Sequence, residues 1–583
     1  MSEKENSYGL HNTMSAEKGT AEIAPPIERG GFGGFIDSFR QHPGQAATQQ
    51  ERKQAAAGGQ IDLEVAALNL ADSPLARRLK NRHLQMIAIG GSIGTGLFIG
   101  SGKALASGGP ASLLICFALI GIMLYTTVHA LGELAVLFPV AGSFAAYSTR
   151  FLDPAWGFAM GWNYAMQWLV VFPLEIVAAA LTVEYWDQNK TISPAVWVTI
   201  FWVLIVIINL FGVKGYGEAE FVFSLVKVIA VIGFIILGII LNCGGGPNHE
   251  YIGGRYWSNP GAFRYGFKGF CSVFVTAAFA FAGTELVGLA AAETANPRKS
   301  LPTAIKQVFW RITLFYIISL TLVGLLVPYN ESRLLQAGMS NAAASPFVIA
   351  IQNAGISGLP SVMNAVIMVA VLSVGNSSIY GSSRTLAALA EQGQAPEIFA
   401  YVDRRGRPMV GILLSSALGL LGYLSANPTA QSNAFEWMLA LSGLSSIFTW
   451  GSICLCHIRF RRGWYVQGHT LDELAFTSQP GVIGSWLGFL FNVLVLIAQF
   501  WVALWPVGSK PNAQDFFSVY LAVPVVILFY IPFKIYYKTP FIRAKDMDLV
   551  TGRRELNLDA ILAEERAEQA TWPMWKKTYK FFC

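Results

Sequence analysis

Long apolar segments recur along this chain, each of about the length that crosses a bilayer as a helix. The hydrocarbon core takes about 20 apolar residues per helix. Twelve such segments, called spans 1 to 12, begin near residues 84, 110, 155, 193, 219, 268, 304, 358, 409, 432, 483 and 514. In lipid a backbone can satisfy its polar groups only in helices or closed barrels, and segments of this length indicate helices. The sequence therefore predicts an all-α polytopic membrane protein with twelve transmembrane helices.

Charged residues make up only 13% of the 583 residues, against about 25% in a soluble protein. The net charge of +6 fits the Lys and Arg excess of cytoplasmic loops and indicates no nucleic-acid partner. The sequence has no Walker A loop, no metal-ligand cluster and no nucleophile elbow with partners. We expect no enzyme, no cofactor and no metal site.

Basic residues ahead of span 1 orient the chain. Four of them lie within six positions: Arg77, Arg78, Lys80 and Arg82. Basic flanks favour the cytoplasmic side, and an even number of spans returns the C-terminus to that side. We expect residues 1–82 to form a mostly disordered cytoplasmic tail and residues 83–538 to form the twelve-helix domain. Residues 539–583 are predicted to be a cytoplasmic tail with a short amphipathic helix over 556–570.

Span 1 is interrupted near its middle by small residues. Glycines stand at positions 90, 91, 94, 96 and 100, with Ser92 and Thr95 between them. Each glycine costs roughly 1 kcal/mol of helix stability relative to alanine. A broken helix at this depth indicates a small-molecule site near the bilayer midplane. Small residues also let helices approach closely, so a packing interface fits this stretch equally well.

A second interruption lies in span 6, around Gly283 within residues 279–288. Spans 1 and 6 are each the first of a set of five. An inverted repeat of five plus five helices places its two discontinuous helices at these positions. The correspondence favours a binding site over simple packing, and predicts a 5+5 core with two extra helices.

Several motifs resemble the fungal amino-acid permeases of the amino acid–polyamine–organocation superfamily. They are Gly91-Ser-Ile-Gly-Thr-Gly-Leu-Phe, Pro139-Val-Ala-Gly-Ser-Phe, Gly157-Phe-Ala-Met-Gly-Trp-Asn, Phe281-Ala-Gly-Thr-Glu and Glu293-Thr-Ala-Asn-Pro-Arg-Lys. The ending, with Thr551-Gly-Arg-Arg-Glu and a final Phe-Phe-Cys, is similar to that of the general amino-acid permeases. The resemblance implies a LeuT-like core and proton-driven amino-acid uptake across the plasma membrane.

The same resemblance implies six substrate-binding residues. An amino acid presents a carboxylate, which suits the free amide groups at a half-helix N-terminus. Its ammonium suits carbonyl oxygens of unwound backbone. The family pattern places the carboxylate at Gly94, Thr95 and Gly96, and the ammonium at Ser92, Phe279 and Ala282. Ordinary core packing remains the alternative for Phe279.

Ionisable residues inside spans are costly and usually functional. Four stand out: Glu133, Glu175, Lys227 and Glu285. Glu285 matches a position linked in relatives to proton coupling, and the alternative is a permanently hydrogen-bonded structural carboxyl. Glu175 continues a polar stripe with Asn163 and Gln167, so it either lines the pathway or bonds a neighbouring helix.

Lys227 lies mid-span in span 5. In some sodium-independent relatives a lysine of this helix projects its ammonium to the place where sodium-coupled relatives hold a cation, between helices 1 and 8. Span 8 offers Asn376, Ser377 and Ser378 as polar neighbours. Burial disfavours a charged lysine, so Lys227 could alternate between charged and neutral forms in proton coupling. A static structural cation is the alternative.

The expected activity is proton-coupled symport of amino acids with broad specificity, the partners being amino acids, protons and membrane lipids. A permease restricted to one amino-acid class, or a transporter-like receptor that binds and signals, are the alternatives. Family analogy makes Lys4, Lys18 and Lys53 candidates for ubiquitylation by a ubiquitin-ligase machinery. Cys583, the last residue, is a weak candidate for lipidation.

Overall fold

The computed structural model describes residues 32–42, 63–91, 93–187, 189, 191–336, 345–426, 428–508, 510–553 and 571–576. Over these residues the chain is helical, apart from short turns and two isolated β-bridges. Its α-helices are α1 (Phe32–Asp37), α2 (Leu63–Ala71), α3 (Asn81–Gly90), α4 (Ser101–Leu137), α5 (Phe144–Phe151), α6 (Pro154–Val183), α7 (Pro194–Leu210), α8 (Gly212–Asn242), α9 (Gly266–Phe281), α10 (Leu286–Leu289), α11 (Pro297–Arg311), α12 (Ser319–Leu326), α13 (Ser332–Gln336), α14 (Pro346–Asn353), α15 (Leu359–Glu391), α16 (Met409–Gly419), α17 (Pro428–Val466), α18 (Gly481–Leu504), α19 (Ala513–Tyr520) and α20 (Ala522–Tyr537).

Apolar helices of membrane-spanning length dominate the described part of the chain. Eight are long and apolar enough to cross a membrane: Gly96–Leu137, Pro154–Val183, Gly212–Asn242, Gly266–Glu293, Pro297–Leu326, Leu359–Glu391, Trp437–Val466 and Gly481–Leu504. Three shorter apolar helices cover Pro194–Leu210, Met409–Leu424 and Ala522–Tyr537. The protein is therefore a multi-pass membrane protein.

Local sequence signals set where several helices begin and turn. The Asp153 side chain accepts a hydrogen bond from the Ala155 amide at 3.0 Å, and Pro154 occupies the first helical position of α6. In α4 the backbone leaves helical geometry at Gly109, where φ is 83° and ψ is 170°, just before Pro110. A positive φ of this size favours glycine. This turn separates the predicted spans 1 and 2.

Helical structure is interrupted where the two glycine-rich stretches lie. In the first interruption, α3 ends at Gly90 and a π-helical segment over Gly96–Gly100 leads into α4. In the second, α9 ends at Phe281 and α10 begins at Leu286. Gly283 has a φ of 93° there, a left-handed conformation in which a side chain would be strained. That spans 1 and 6 are discontinuous transmembrane helices stays a prediction.

Six helices surround these interruptions. α3 packs against α8 and α11, α9 packs against α4 and α17, and α15 lies along α6 and also contacts α8. α20 packs on the outside of α6. The short helix α14 packs against α15, where the sequence predicts a segment too short to span. The interruptions therefore lie inside the bundle, away from lipid.

Parts of the region that the sequence assigns to a disordered N-terminal tail are helical and packed. α1 is followed by an antiparallel bridge between Gln41 and Asp403, and α2 lies against α15. The apolar side chains of Leu70, Leu75 and Leu79 are buried, and this burial offsets the ordering entropy of the segment. The predicted modification sites Lys4, Lys18, Lys53 and Cys583, and the predicted helix over 556–570, lie outside the described residues.

Candidate functional site

The two interruptions face one buried cavity. Its wall contains Gly94, Thr95 and Gly96 from the first interruption and Phe279 and Ala282 from the second. Five of the six predicted binding residues therefore share one wall, and the sixth, Ser92, lies outside the described residues. The remaining wall is formed by side chains of α6 and α15: Trp168, Val171, Glu175 and Val374.

The backbone at the first interruption exposes amide groups to this cavity. Helical structure resumes at Thr95 and Gly96, so the amides of Gly94, Thr95 and Gly96 have no preceding helical turn to donate to. Such a helix start attracts negative charge. On the other side, α9 ends at Phe281, and its last carbonyls accept from groups beyond the helix end. The Phe279 carbonyl accepts from the Ala282 amide at 3.2 Å, and the Phe281 carbonyl accepts from Thr284 Oγ1 at 2.8 Å. Because a carbonyl oxygen has two lone pairs, the cavity still offers acceptor positions for a cationic group beside donors for an anionic group.

The glycines of the first interruption also serve close packing. A Cβ on Gly90 would lie 2.2 Å from Ser224 Oγ, and a Cβ on Gly96 would lie 2.3 Å from Ala280 Cα. A Cβ on Gly94 would lie 2.4 Å from Val374 Cγ2, within the cavity wall. Close packing is therefore one role of these glycines, and their part in a binding site stays a prediction.

Glu175 carries a carboxylate into the cavity wall. Thr95 Oγ1 donates to its Oε2 at 2.5 Å, while its Oε1 has no hydrogen-bond partner among the described residues. Along the same stripe of α6, Asn163 donates to the Ser445 carbonyl at 3.1 Å and Gln167 donates to Ser446 Oγ at 2.9 Å. The stripe faces protein, as predicted, and Glu175 both bonds a neighbouring segment and lines the cavity.

Two cations and a hydroxyl bind the free carbonyl end of α3. Lys227 Nζ donates to the Gly90 carbonyl at 2.8 Å, and Arg311 Nη1 donates to the Ala88 carbonyl at 2.9 Å. Ser224 Oγ donates to the Met86 carbonyl at 3.2 Å. Because the C-terminal end of a helix carries partial negative charge, cations stabilise it. The interruption of span 1 is therefore held by charged side chains from α8 and α11.

Lys227 belongs to a buried network between α3, α8 and α15. Besides Gly90 it donates to Ser373 Oγ at 2.7 Å, and it lies 3.8 Å from the Glu220 carboxylate. Ser373 in turn donates to Glu220 Oε2 at 2.7 Å. The ammonium thus lies between spans 1 and 8, as the resemblance implies. Its α15 partner is Ser373, about one helical turn before the predicted Asn376–Ser378 group.

Glu285 is held by donors from three places, and no cation among the described residues pairs with it. Its carboxylate accepts from Tyr164 OH at 3.2 Å, from Trp450 Nε1 at 3.1 Å and from the Gly283 amide at 3.2 Å. Its side chain is fully buried. Because Gly283 and Glu285 are two residues apart, this bond is local to the second interruption.

Glu133 does not pair with His129, although the two lie four residues apart on α4 and this spacing would allow a helical pair. Its carboxylate accepts from Arg461 Nε and Nη2, lies 3.1 Å from His457 Nε2 and accepts from the Ser478 amide at 2.7 Å. The His129 ring packs against the Tyr125 ring, with centroids 4.3 Å apart. Neither nitrogen of His129 bonds a described residue. Glu133 therefore fixes α4 to α17 and lies away from the cavity.

Three residues that the structure makes functional candidates were not predicted from the sequence: Glu220, Trp168 and Arg311. Glu220 lies about two turns inside α8. The span predicted from the sequence begins near residue 219, so Glu220 stands at the end of that span and was not counted as an in-span charge. Trp168 lies seven residues before Glu175, and this spacing places both on one face of a helix, so the signal was present. Arg311 lies within predicted span 7, and its in-span charge is the signal that would have identified it.

A second cavity lies elsewhere, between the end of α17 and the segment after α20. It is lined by Arg459, Arg462 and the residues Pro540–Ala544. None of the predicted binding residues reaches it. The basic side chains there match the charge expected of a cytoplasmic membrane interface.

Comparison with known proteins gives strong matches. Residues 83–545 match the amino acid permease family. The chain is 62% identical to general amino-acid permease GAP2 of Candida albicans, over 96% of this chain and 94% of that protein. It is 59% identical to general amino-acid permease GAP1 of Saccharomyces cerevisiae, over 90% and 88% respectively. Among solved structures, the manganese transporter of Eremococcus coleocola superposes with a TM-score of 0.49 at 13% identity, over 78% of this chain and 94% of that one.

Proposed function

The chain belongs to the amino acid permease family, and from that premise we propose a proton-coupled amino acid transporter of broad specificity that works by alternating access. The family makes the protein an amino acid transporter rather than an enzyme. One observation carries the proposed site. Backbone from both interruptions and the Glu175 carboxylate line a single buried cavity.

The substrate's shared charges are the proposed recognition elements. The amides of Gly94, Thr95 and Gly96 face the α-carboxylate. The α-ammonium is faced by the carbonyl end of α9, at Phe279, and by the backbone of Ala282. Ser92 and the unpaired oxygen of Glu175 complete this proposed set. These contacts are common to all α-amino acids. Broad specificity follows, and it agrees with the names of the two relatives described above.

Coupling is assigned to the buried ionisable groups beside the cavity. Lys227 holds the carbonyl end of α3, so loss of its proton would weaken the attachment of the inner half of span 1. Glu220 lies on the same network through Ser373 and is the adjacent carboxylate for that proton. Glu285 is the second candidate, because its carboxylate lies just past the other interruption.

Twelve crossings with two discontinuous helices are the proposed topology. The segment Gly96–Leu137 has 42 residues, about 63 Å of helix or about twice the hydrocarbon core, and it turns at Gly109. It therefore accounts for two crossings, with α3 as the inner half of the first. Seven other long helices and three shorter ones complete the number. A 5+5 inverted repeat fits the two interruptions at spans 1 and 6.

Both termini are proposed to lie in the cytoplasm, with the protein in the plasma membrane. The N-terminal segment contacts the basic loop between α15 and α16 through the Asp37–Arg404 ion pair, 2.5 Å long. A Cβ on Gly552 would lie 3.6 Å from Ala71 Cβ, so the segment after α20 meets the same face. Both tails therefore share the side that carries the positive charge. Ubiquitylation of Lys4, Lys18 or Lys53 would act from this side.

Uptake of a panel of labelled amino acids into permease-deficient cells, at two external pH values, tests the function. We expect uptake of many neutral amino acids, faster at acidic pH, abolished by a protonophore and unchanged when choline replaces sodium. Uptake of a single class would favour the restricted permease. Binding without counterflow in liposomes would favour a receptor. Loss of uptake without sodium would contradict proton coupling.

A further inference from the structure

Arg311 is a buried cation with no ion-pair partner in the described chain. Only 1% of its side chain is exposed, and its Nε atom bonds no described residue. Its Nη1 donates to the Ala88 carbonyl at 2.9 Å, and its Nη2 lies 3.4 Å from the Tyr316 hydroxyl. A guanidinium at membrane depth is costly, which is why such residues usually serve a function. These two contacts connect Arg311 to the carbonyl end of α3 and to Tyr316.

Tyr316 continues the contact to the other interruption. Its hydroxyl donates to the Ala280 carbonyl at 2.7 Å, and its ring stacks on Phe281 with centroids 4.0 Å apart. Ala280 lies in the last turn of α9, and Ala88 lies in the last turn of α3. Carbonyls in the last turn of a helix have no partner within it. Two side chains of one span therefore join the free ends of both half-helices.

A π-helical segment makes this arrangement possible. Arg311 and Tyr316 are five residues apart, and on an α-helix they would point about 140° away from each other. The segment Ile312–Ile318, which follows Arg311, is π-helical instead, and its wider turn reduces the angle between residues five apart. Isolated π-helical turns are frequent at functional sites.

We propose that Arg311 and Tyr316 form a positioning link that holds α3 and α9 against the cavity at the same time. The inference rests on the proposed alternating-access function. Spans 1 and 6 cross the membrane in opposite directions, so α3 is the cytoplasmic half of one and α9 is the outer half of the other. Moving either half away from the cavity breaks a bond of the link. The link therefore opposes simultaneous opening of the cavity to both sides of the membrane. Concentrative transport requires that such a double opening be prevented.

The link differs in kind from the Lys227 contact on the same helix end. A lysine can lose its proton inside a protein, whereas an arginine stays charged. Lys227 can thus release the carbonyl end of α3 during a transport cycle, whereas Arg311 stays charged and keeps its hydrogen bond to that end. A test of the link must therefore measure accumulation driven by the proton gradient separately from exchange of amino acid across the membrane.

The variants Arg311→Gln, Tyr316→Phe and the double variant test the link in proteoliposomes. Two quantities are measured: counterflow of labelled amino acid, and steady-state accumulation under an imposed proton gradient. We expect each single variant to lower accumulation about tenfold, the loss from one or two charge-assisted hydrogen bonds. Counterflow should stay within about twofold of wild type, because the cavity is intact. Both changes break one chain of contacts, so the double variant should match the more affected single variant.

Thr313→Val is the matched control. Its hydroxyl donates only to the Phe309 carbonyl of its own helix at 3.0 Å, so both quantities should be unchanged. Arg311→Lys keeps the charge and a donor and should recover part of the accumulation. If Arg311→Gln does not fold, Tyr316→Phe decides, because its ring still stacks on Phe281.

Three outcomes would overturn the link: unchanged accumulation in both single variants, a proportional fall of counterflow and accumulation, or independent additive losses in the double variant. A wild-type protein that shows neither counterflow nor accumulation would instead overturn the proposed function. The two failures are therefore distinguishable.

Discussion

The two interruptions are closed by different chemistry. At the first, the carbonyl end of α3 is bound by side chains of other helices, Lys227 and Arg311. At the second, the amide of Gly283 donates to Glu285, two residues away, and Tyr164 and Trp450 hold the same carboxylate. The first interruption depends on cations that separate helices supply. The second is held by neutral donors, from its own backbone and from α6 and α17. This difference is the reason why we propose the first as the part whose attachment a proton can switch.

The largest effect is expected at the cavity side of the first interruption. Gly94→Val should lower uptake about 100-fold, because the added side chain meets Val374 and displaces the backbone that we propose as the carboxylate site. Gly233→Val in α8 is the control, since no atom lies within 4 Å of a Cβ there. Uptake by surface-localised protein is the measurement. Normal uptake by Gly94→Val would remove this stretch from the binding site.

Replacing Lys227 probes the carbonyl end of the same interruption. Lys227→Ala should lower concentrative uptake about 30-fold, because it leaves Glu220 and the Gly90 carbonyl buried without their partner. Lys227→Arg should also fail, since an arginine cannot give up its proton. Lys214→Ala, at an exposed position near the start of the same helix, is the control. Normal transport by Lys227→Arg with an unchanged pH profile would transfer coupling to Glu285.

Glu285→Gln tests whether the second interruption needs its charge. The amide keeps only one acceptor oxygen, so its NH₂ group would face either the Tyr164 hydroxyl or the Trp450 Nε1–H, which bond different oxygens of the carboxylate. We expect the maximal uptake rate to fall about tenfold. Tyr164→Phe, which removes one donor of three, should have a smaller effect. If Glu285→Gln abolishes pH dependence while Lys227 variants keep it, the comparison between the interruptions is reversed.

The smallest of these effects is expected at Glu175. Glu175→Gln keeps the acceptor for Thr95 but removes the charge that faces the substrate ammonium in the proposed site. The apparent KM should rise about fivefold with a nearly constant maximal rate, as expected when ground-state binding is lost. An equal fall in rate with constant KM would show that Glu175 acts in coupling rather than in recognition.

Glycine and small polar residues stand out within apolar segments, and this contrast drew attention to the two stretches where the structure has breaks in helical structure. Gly94, Phe279 and Ala282, which the resemblance assigns to the substrate, line one cavity. The resemblance also implies that the Lys227 ammonium lies between spans 1 and 8, and its partner on α15 is Ser373. Their roles in binding and coupling stay predictions.

What the sequence could not predict depends on backbone geometry. The contact between Arg311 and Tyr316 needs a π-helical turn, and an α-helical projection separates the two residues. The packed helices α1 and α2 were missed because glycine and alanine dominate the composition around them and hide short apolar stripes. Their stability comes from contacts with distant loops, such as Asp37 with Arg404.

Competition by modified substrates tests most directly the central claim that the two interruptions read the α-carboxylate and α-ammonium. Uptake of labelled leucine is measured with unlabelled leucine, leucine methyl ester or N-acetyl-leucine as competitor. Each derivative lacks one of the two charges, so we predict inhibition at least about tenfold weaker than that by leucine. Inhibition by the methyl ester equal to that by leucine would contradict the assignment of the carboxylate to the amides of Gly94, Thr95 and Gly96.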